Sequence, residues 1–212
     1  YESYDKHGLI ICCAPLNRSN KVTARLEQQF LFLTQADALK KILRATPVLA
    51  GERLENSGEH SWHIALYAMV LTDQAGPDVN IARVIEMLLI HDIVEIDAGD
   101  TPLHGQHDPK TQVLAEEKAA DRLFGLLPPD QATRFRALWN EFEDAQTPDA
   151  IFAKALDRVQ PVLQNIAAGG GSWTDYNVTI EQLESRVGDK VAKGAPKIWD
   201  FVHAKARHFF NK

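Results

Sequence analysis

His60, the adjacent pair His91-Asp92, and Asp157 are the residues whose types and placement suit chemistry. Imidazole and carboxylate together favour a borderline or hard divalent cation, so Mn, Co, Fe, Zn and Mg are the candidates. Neighbouring residues on a helix project about 100° apart. His91 and Asp92 can therefore both reach an ion seated between their directions, with His60 and Asp157 approaching from other helices. Four protein ligands on a five- or six-coordinate ion leave room for water and a substrate oxygen, which metal-assisted hydrolysis requires. The expectation is one divalent ion per chain.

Each of these residues also has a plainer role open to it. A lone His-Asp pair can be a polar turn or a capped helix end, but this one follows Ile85-Glu86-Met87-Leu88-Leu89-Ile90, a run that belongs in a core. Ionisable groups placed there want a metal or a mutual partner, because an unpaired buried charge is costly. Asp157 sits in a similarly apolar stretch, where pairing with Arg158 or Lys154 is the alternative. Glu95 lies four residues after His91 and shares its helix face. A carboxylate there is the right group to take a proton from water, unless it is simply solvated. Asp100, in Gly-Asp-Thr-Pro, is either a second acid or a turn residue. Trp173 and Tyr176 either line the site or pack a loop over the core. His63, three residues after His60, is expected to support or pack, since a fifth protein ligand would crowd out substrate.

The elements that must position these residues read as helices almost throughout. Leu26, Phe30, Leu33, Ala36, Leu39 and Leu43 recur at three- and four-residue steps, with Thr23 as the expected N-cap and Pro47 as the stop. Further helices are expected over Glu59–Asp73, over Ile81–Ile96 behind Asn80, over Lys110–Leu127 and over Asp130–Ala145. Ala150–Ala167 should form another, kinked at Pro161, and two more should cover Ile180–Val191 and Pro196–Phe210. Gly99–Pro102 and Gly169–Gly171 break the chain, and His104–Asp108 reads as loop. No alternating β-branched run appears. The expected fold is all-α, a compact multi-helix domain over residues 23–212, preceded by an extension of unknown role over residues 1–22.

With 23 basic against 29 acidic residues and a net charge of −6, the chain lacks the basic footprint of a duplex-DNA binder. No apolar run approaches a membrane span. The two cysteines, Cys12 and Cys13, are adjacent and suggest neither a disulfide framework nor a cysteine metal site, so a reducing, cytoplasmic setting is expected.

Three segments together carry a resemblance. Arg53–His63 resembles the first motif of the HD-domain hydrolases, Leu89–Asp100 resembles the second, and Ala155–Asn165 is similar to the third. The branch most resembled includes the bacterial 5′-deoxynucleotidases, which cleave phosphate from deoxynucleoside monophosphates. The likeness runs from about Leu26 to the C-terminus. It implies that His60, His91, Asp92 and Asp157 hold the metal, that Glu95 and Asp100 activate water and deliver a proton, and that Arg53 faces the substrate phosphate. It implies a small phosphorylated substrate, of the nucleotide class, and a homodimer. Leu54 departs from the aromatic residue expected after that arginine, which puts deoxyribose selectivity in doubt. A two-metal HD phosphodiesterase or an HD-fold iron oxygenase would need further histidines between His91 and Asp157, where only His104 and His107 stand. A non-catalytic metal-binding helical module would not need Glu95 and Asp100.

Overall fold

The structure is a computed structural model and describes residues 18–105 and 108–211. Within them the chain runs through α1 (Arg18–Ala36), a 3₁₀ turn, β1 (Leu43–Pro47), β2 (Leu54–Asn56), α2 (Ser57–Val70) and α3 (Ile81–Ile90). A 3₁₀ turn over His91–Val94 leads into α4 (Glu95–Ala98), then α5 (Pro109–Phe124), α6 (Pro129–Asp144) and α7 (Pro148–Ala167). The short α8 (Ser172–Asp175) and α9 (Ile180–Leu183), a π turn, α10 (Asp189–Gly194) and α11 (Pro196–Phe210) complete it. The all-α expectation holds apart from one small sheet.

That sheet is a correction. β1 and β2 pair antiparallel, with Leu43 opposite Asn56 and Pro47 opposite Leu54, where the apolar spacing predicts helix through Leu43. The helical spacing ends in fact at Leu39, which is buried. Beyond it the chain is already extended at Ile42 (φ −83°, ψ 111°), and a proline at 47 disfavours helix in the residue before it. Successive strand residues face opposite sides. Leu43 is accordingly 60% exposed, while the Arg44 side chain turns inward and is only 13% exposed.

Three local features set the site. Asn56 and Glu59 form a capping box at the start of α2: the Glu59 N–H donates to Asn56 Oδ1 at 2.9 Å and the Asn56 N–H to Glu59 Oε2 at 3.1 Å. This fixes the first turn, and His60, Ile64 and Ala68 then face inward at four-residue steps. Asn80 caps α3 as expected, but the helix expected over Ile81–Ile96 tightens at His91, where Trp139 Nε1–H donates to the His91 carbonyl at 3.2 Å. Thr147 caps α7, and Pro148 occupies its first turn.

α7 is the central element, packing on α2, α3, α6, α10, α11 and β1. It runs on through Pro161 to Ala167, the expected end; the ring removes only the one N–H that would have donated to Asp157 O. Phe152 and Leu156 are fully buried on α7, each worth about 1.5–3 kcal/mol of burial, and they hold the Asp157 turn in register. α7 gives way to three glycines with positive φ. At Gly171 a Cβ would run into Asn165 Oδ1 and the Pro47 ring. Thr23 lies inside α1 rather than at its start, and the boundary expected at residue 22 falls within that helix. Cys12, Cys13 and the apolar run around them lie outside the described residues.

Candidate metal centre

α2, the turn after α3, and α7 bring His60, His91 and Asp157 together, so that one donor atom from each lies within 4.8 Å of the others. All three are buried. His60 Nε2 stands 3.1 Å from Asp157 Oδ1, and His91 Nε2 stands 3.8 Å from the same oxygen. The opposite edge of each ring faces an acceptor: Gln160 Oε1 lies 3.0 Å from His60 Nδ1, and the Leu88 carbonyl lies 3.0 Å from His91 Nδ1. With the hydrogen on each Nδ1, both Nε2 lone pairs face a carboxylate, the arrangement metal ligation would use.

Lone pairs converging on an anion are unfavourable without positive charge between them. His91 Nε2 is buried and makes no bond of hydrogen-bonding geometry, although Asp92 Oδ1 stands close to it. The pKa directions follow the charges packed around the cluster. Burial and Arg44 push the His60 imidazole down, yet Asp157 and Glu55 outweigh them and it is raised. Asp157 is held well below the usual carboxylate range, because Arg158 and His60 overcome its burial. A divalent ion fits this donor set of two imidazoles and a carboxylate. Asp92 lies alongside, with Oδ1 2.8 Å from His91 Nε2 and Oδ2 accepting from Arg44 Nη1 at 3.0 Å. Against its burial, His91 and Arg44 lower it to about 2.

Glu95 and Asp100 border this cluster. Ser57 Oγ–H donates to Glu95 Oε2 at 2.6 Å. Burial, then neighbouring Asp92, push the Glu95 carboxyl well above its ordinary range. Asp100 is raised as well, by burial first, with Arg44 opposing. Arg44 Nη1 lies 4.0 Å from Glu95 Oε1 and 3.9 Å from Asp100 Oδ1, and its Nε lies 3.7 Å from Glu55 Oε2, so with Asp92 one buried guanidinium serves four carboxylates.

Arg44 is the principal residue that sequence reasoning missed, and an arginine in a short extended stretch offers no periodic signal. Arg53, expected to face phosphate, is not brought into the cluster. Its side chain is 57% exposed, forms a two-point fork on Glu59 at 2.7 and 2.8 Å, and lines a separate groove with Val48, Leu49 and Trp62. Glu55 and Gln160 were also missed. Gln160 Nε2–H donates to Glu55 Oε1 at 2.6 Å, and Gln164 adds a bond to the same oxygen at 2.9 Å. A fully buried glutamine one helical turn from Asp157 is the signal that pointed to this layer.

His63 stands behind Gln160, its Nδ1 3.2 Å from Gln160 Nε2, and offers no atom to the three-residue cluster. Trp173 and Tyr176 line a cavity of about 90 Å³ together with Arg44, Asp100, His104 and Asp157. Trp173 is buried and stacks on Phe210 at 5.0 Å, whereas Tyr176 is 38% exposed. His104 lies in that cavity wall and not in the cluster; His107 lies outside the described residues. A second cavity, of about 140 Å³, shares Arg44, Asp100, Asp157 and Arg158 and adds Asp92 and Glu95.

A match to the HD domain family extends over residues 36–199 and takes in every residue of the cluster. The chain belongs to the HD domain family. Among solved HD-related structures, a protein of Magnetospirillum magnetotacticum MS-1 described as a predicted metal-dependent phosphohydrolase superimposes with a TM-score of 0.83 at 45% identity, covering 89% of this chain and 96% of that one. The human 5′-deoxynucleotidase HDDC2 is 30% identical over 134 residues, which are 63% of this chain and 64% of that protein. The 5′-deoxynucleotidase plu3092 of Photorhabdus laumondii is 25% identical over 158 residues, 71% of this chain and 80% of that protein. The HD chain thus spans a little under two thirds of the human relative's length. No helix among its described residues is long and apolar enough to cross a membrane.

Proposed function

We propose that the chain is a metal-dependent phosphohydrolase that cleaves phosphate monoesters of the nucleoside 5′-monophosphate class, deoxynucleotides included. The observation that carries this reading is the convergence of His60 Nε2 and His91 Nε2 on Asp157 Oδ1, with an acceptor facing the far edge of each ring. His60, His91 and Asp157, with Asp92 beside them, would hold one divalent ion. Such an ion, when bound, neutralises phosphate charge and acidifies water.

The remaining work falls to this chain's own side chains. Arg44 faces both cavities and presents a guanidinium fork suited to phosphate oxygens, which moves the role expected of Arg53 onto Arg44. Glu95, oriented by the Ser57 hydroxyl, accepts the proton of the attacking water. Positive charge brought to the cluster favours the ionised form that this step needs. Asp100, raised by burial, delivers a proton to the departing oxygen. Trp173 and Tyr176 border the space where the nucleoside would lie. The nucleotide class is supported by the 5′-deoxynucleotidase names of HDDC2 and plu3092.

Pairing of two copies belongs to the same proposal, supported by exposed apolar side chains on α2 and α11, among them Trp62, Met69, Val70 and Phe201. So does a cytoplasmic setting, supported by the cysteine usage. The decisive experiment is phosphate release from a panel of nucleoside monophosphates and simple phosphate esters, with purified protein loaded in turn with Mn, Co, Fe, Zn and Mg. Release from monophosphates that depends on metal and fails in Asp157→Ala is expected; metal binding without release from any ester would leave only a metal-binding helical module.

A further inference from the structure

The phosphohydrolase reading leaves Arg158 without a task. It follows Asp157 on α7, and like Arg44 it lines both cavities beside the metal cluster. Other arginines of the chain are anchored. Arg25 grips Asp130 at 2.7 and 2.8 Å, and Arg122 makes two bonds to Asp97. Arg158 makes no comparable bond. Its Nε is buried without a hydrogen-bond partner and stands 3.7 Å from Asp157 Oδ2, beyond hydrogen-bond range.

The surroundings compound this. Arg158 is the leading cause that holds the Lys190 ammonium below its ordinary range, followed by burial and by Lys154, so further cations crowd the same place. His104 Nδ1, also buried without a partner, belongs to a residue of the same cavity wall. An unpaired buried guanidinium N–H is costly, and Arg158 carries one beside a small cavity next to the cluster. An oxygen-rich anion would satisfy it.

We infer that Arg158 is a second phosphate-positioning residue, which holds the phosphate group of the substrate from the Asp157 side of the cluster while Arg44 holds it from the Asp92 side. This rests on the phosphohydrolase reading. A phosphate dianion carries three non-bridging oxygens, and one guanidinium fork engages at most two of them. The competing role is that of a counter-ion for Asp157. A counter-ion would be expected to dock on the carboxylate with hydrogen bonds, as Arg25 and Arg122 do on theirs.

The test is calorimetric titration of metal-loaded protein with inorganic phosphate, for wild type, Arg158→Lys and Arg158→Met, with metal content measured on each sample. Loss of a charge-assisted bond should weaken phosphate binding about tenfold or more in Arg158→Met, with an intermediate effect in Arg158→Lys and bound metal unchanged. KM for a phosphate monoester should rise more than kcat falls. Equal phosphate affinity in wild type and Arg158→Met overturns the inference. So does loss of metal with phosphate affinity per bound metal unchanged, which identifies a counter-ion. Should wild type itself bind no phosphate, the phosphohydrolase reading falls first and takes the inference with it. Arg158→Lys keeps the charge and guards against a folding defect in the methionine variant.

Discussion

Gln160 Oε1 lies 3.0 Å from His60 Nδ1, and a hydrogen held there leaves Nε2 as the nitrogen for a metal. Gln160 is itself held by Glu55, so a chain of buried polar side chains ends on the ligand. Partners of this kind, one bond removed from the ion, are commonly worth 10–100-fold in metal affinity or activity. Gln160→Leu should keep the fold and weaken metal binding by about that factor, read by titration with Mn or Co. An unchanged affinity would show that His60 needs no orienting partner.

Asp157 Oδ1 is the atom on which both imidazoles converge. Asp157→Ala should abolish metal content and activity together, as elemental analysis of the purified variant will report. Full metal occupancy would refute the assignment of this cluster.

Glu95 should separate chemistry from binding. Glu95→Ala is expected to retain metal and to bind a monophosphate, yet to turn over at least about a hundredfold more slowly, the scale of general acid–base catalysis. Ser57→Ala removes only the 2.6 Å bond that orients the carboxylate and should cost less. Near-full activity in Glu95→Ala would make this carboxylate structural.

Arg44 and Arg53 differ in burial, and their variants should differ accordingly. Arg44→Lys preserves charge but not the fork, so KM for phosphate monoesters should rise about tenfold or more. Arg53→Ala touches an exposed pair with Glu59 and should leave KM unaltered and stability within about 0.5 kcal/mol. A large KM change in Arg53→Ala alone would return the phosphate to that side of the chain.

His104 offers a test in pH. Burial first, then Arg186 and Arg158, lower it from 6.5 to about 4. Below about 6.5 the unfolded chain takes up a proton that the folded protein refuses, so the folded state loses stability as pH falls from there to about 4 and loses no more below it. Ring-proton NMR should show His104 neutral at pH 5.5. In His104→Gln the drop in melting temperature between pH 7 and pH 4.5 should be smaller than in wild type; an identical drop would mean that His104 titrates normally.

Much of this protein was readable from residue order alone. His60, His91 and Asp157 stand out because ionisable groups interrupt apolar helical runs, and a helix face is a local, periodic property that survives folding. The cap at Asn80 is local for the same reason. The two strands and the break at His91 were not readable: five- and three-residue strands carry too little alternation, and the Trp139 that engages the His91 carbonyl lies on α6, 48 positions away. Arg44 shows the division most clearly. Its type was visible, but that it turns inward while Leu43 turns out follows from strand pairing with the segment before α2. Tertiary structure alone decided which cation faces the site, because only packing brings Asp92, Glu95 and Asp100 within about one ion-pair distance of one guanidinium.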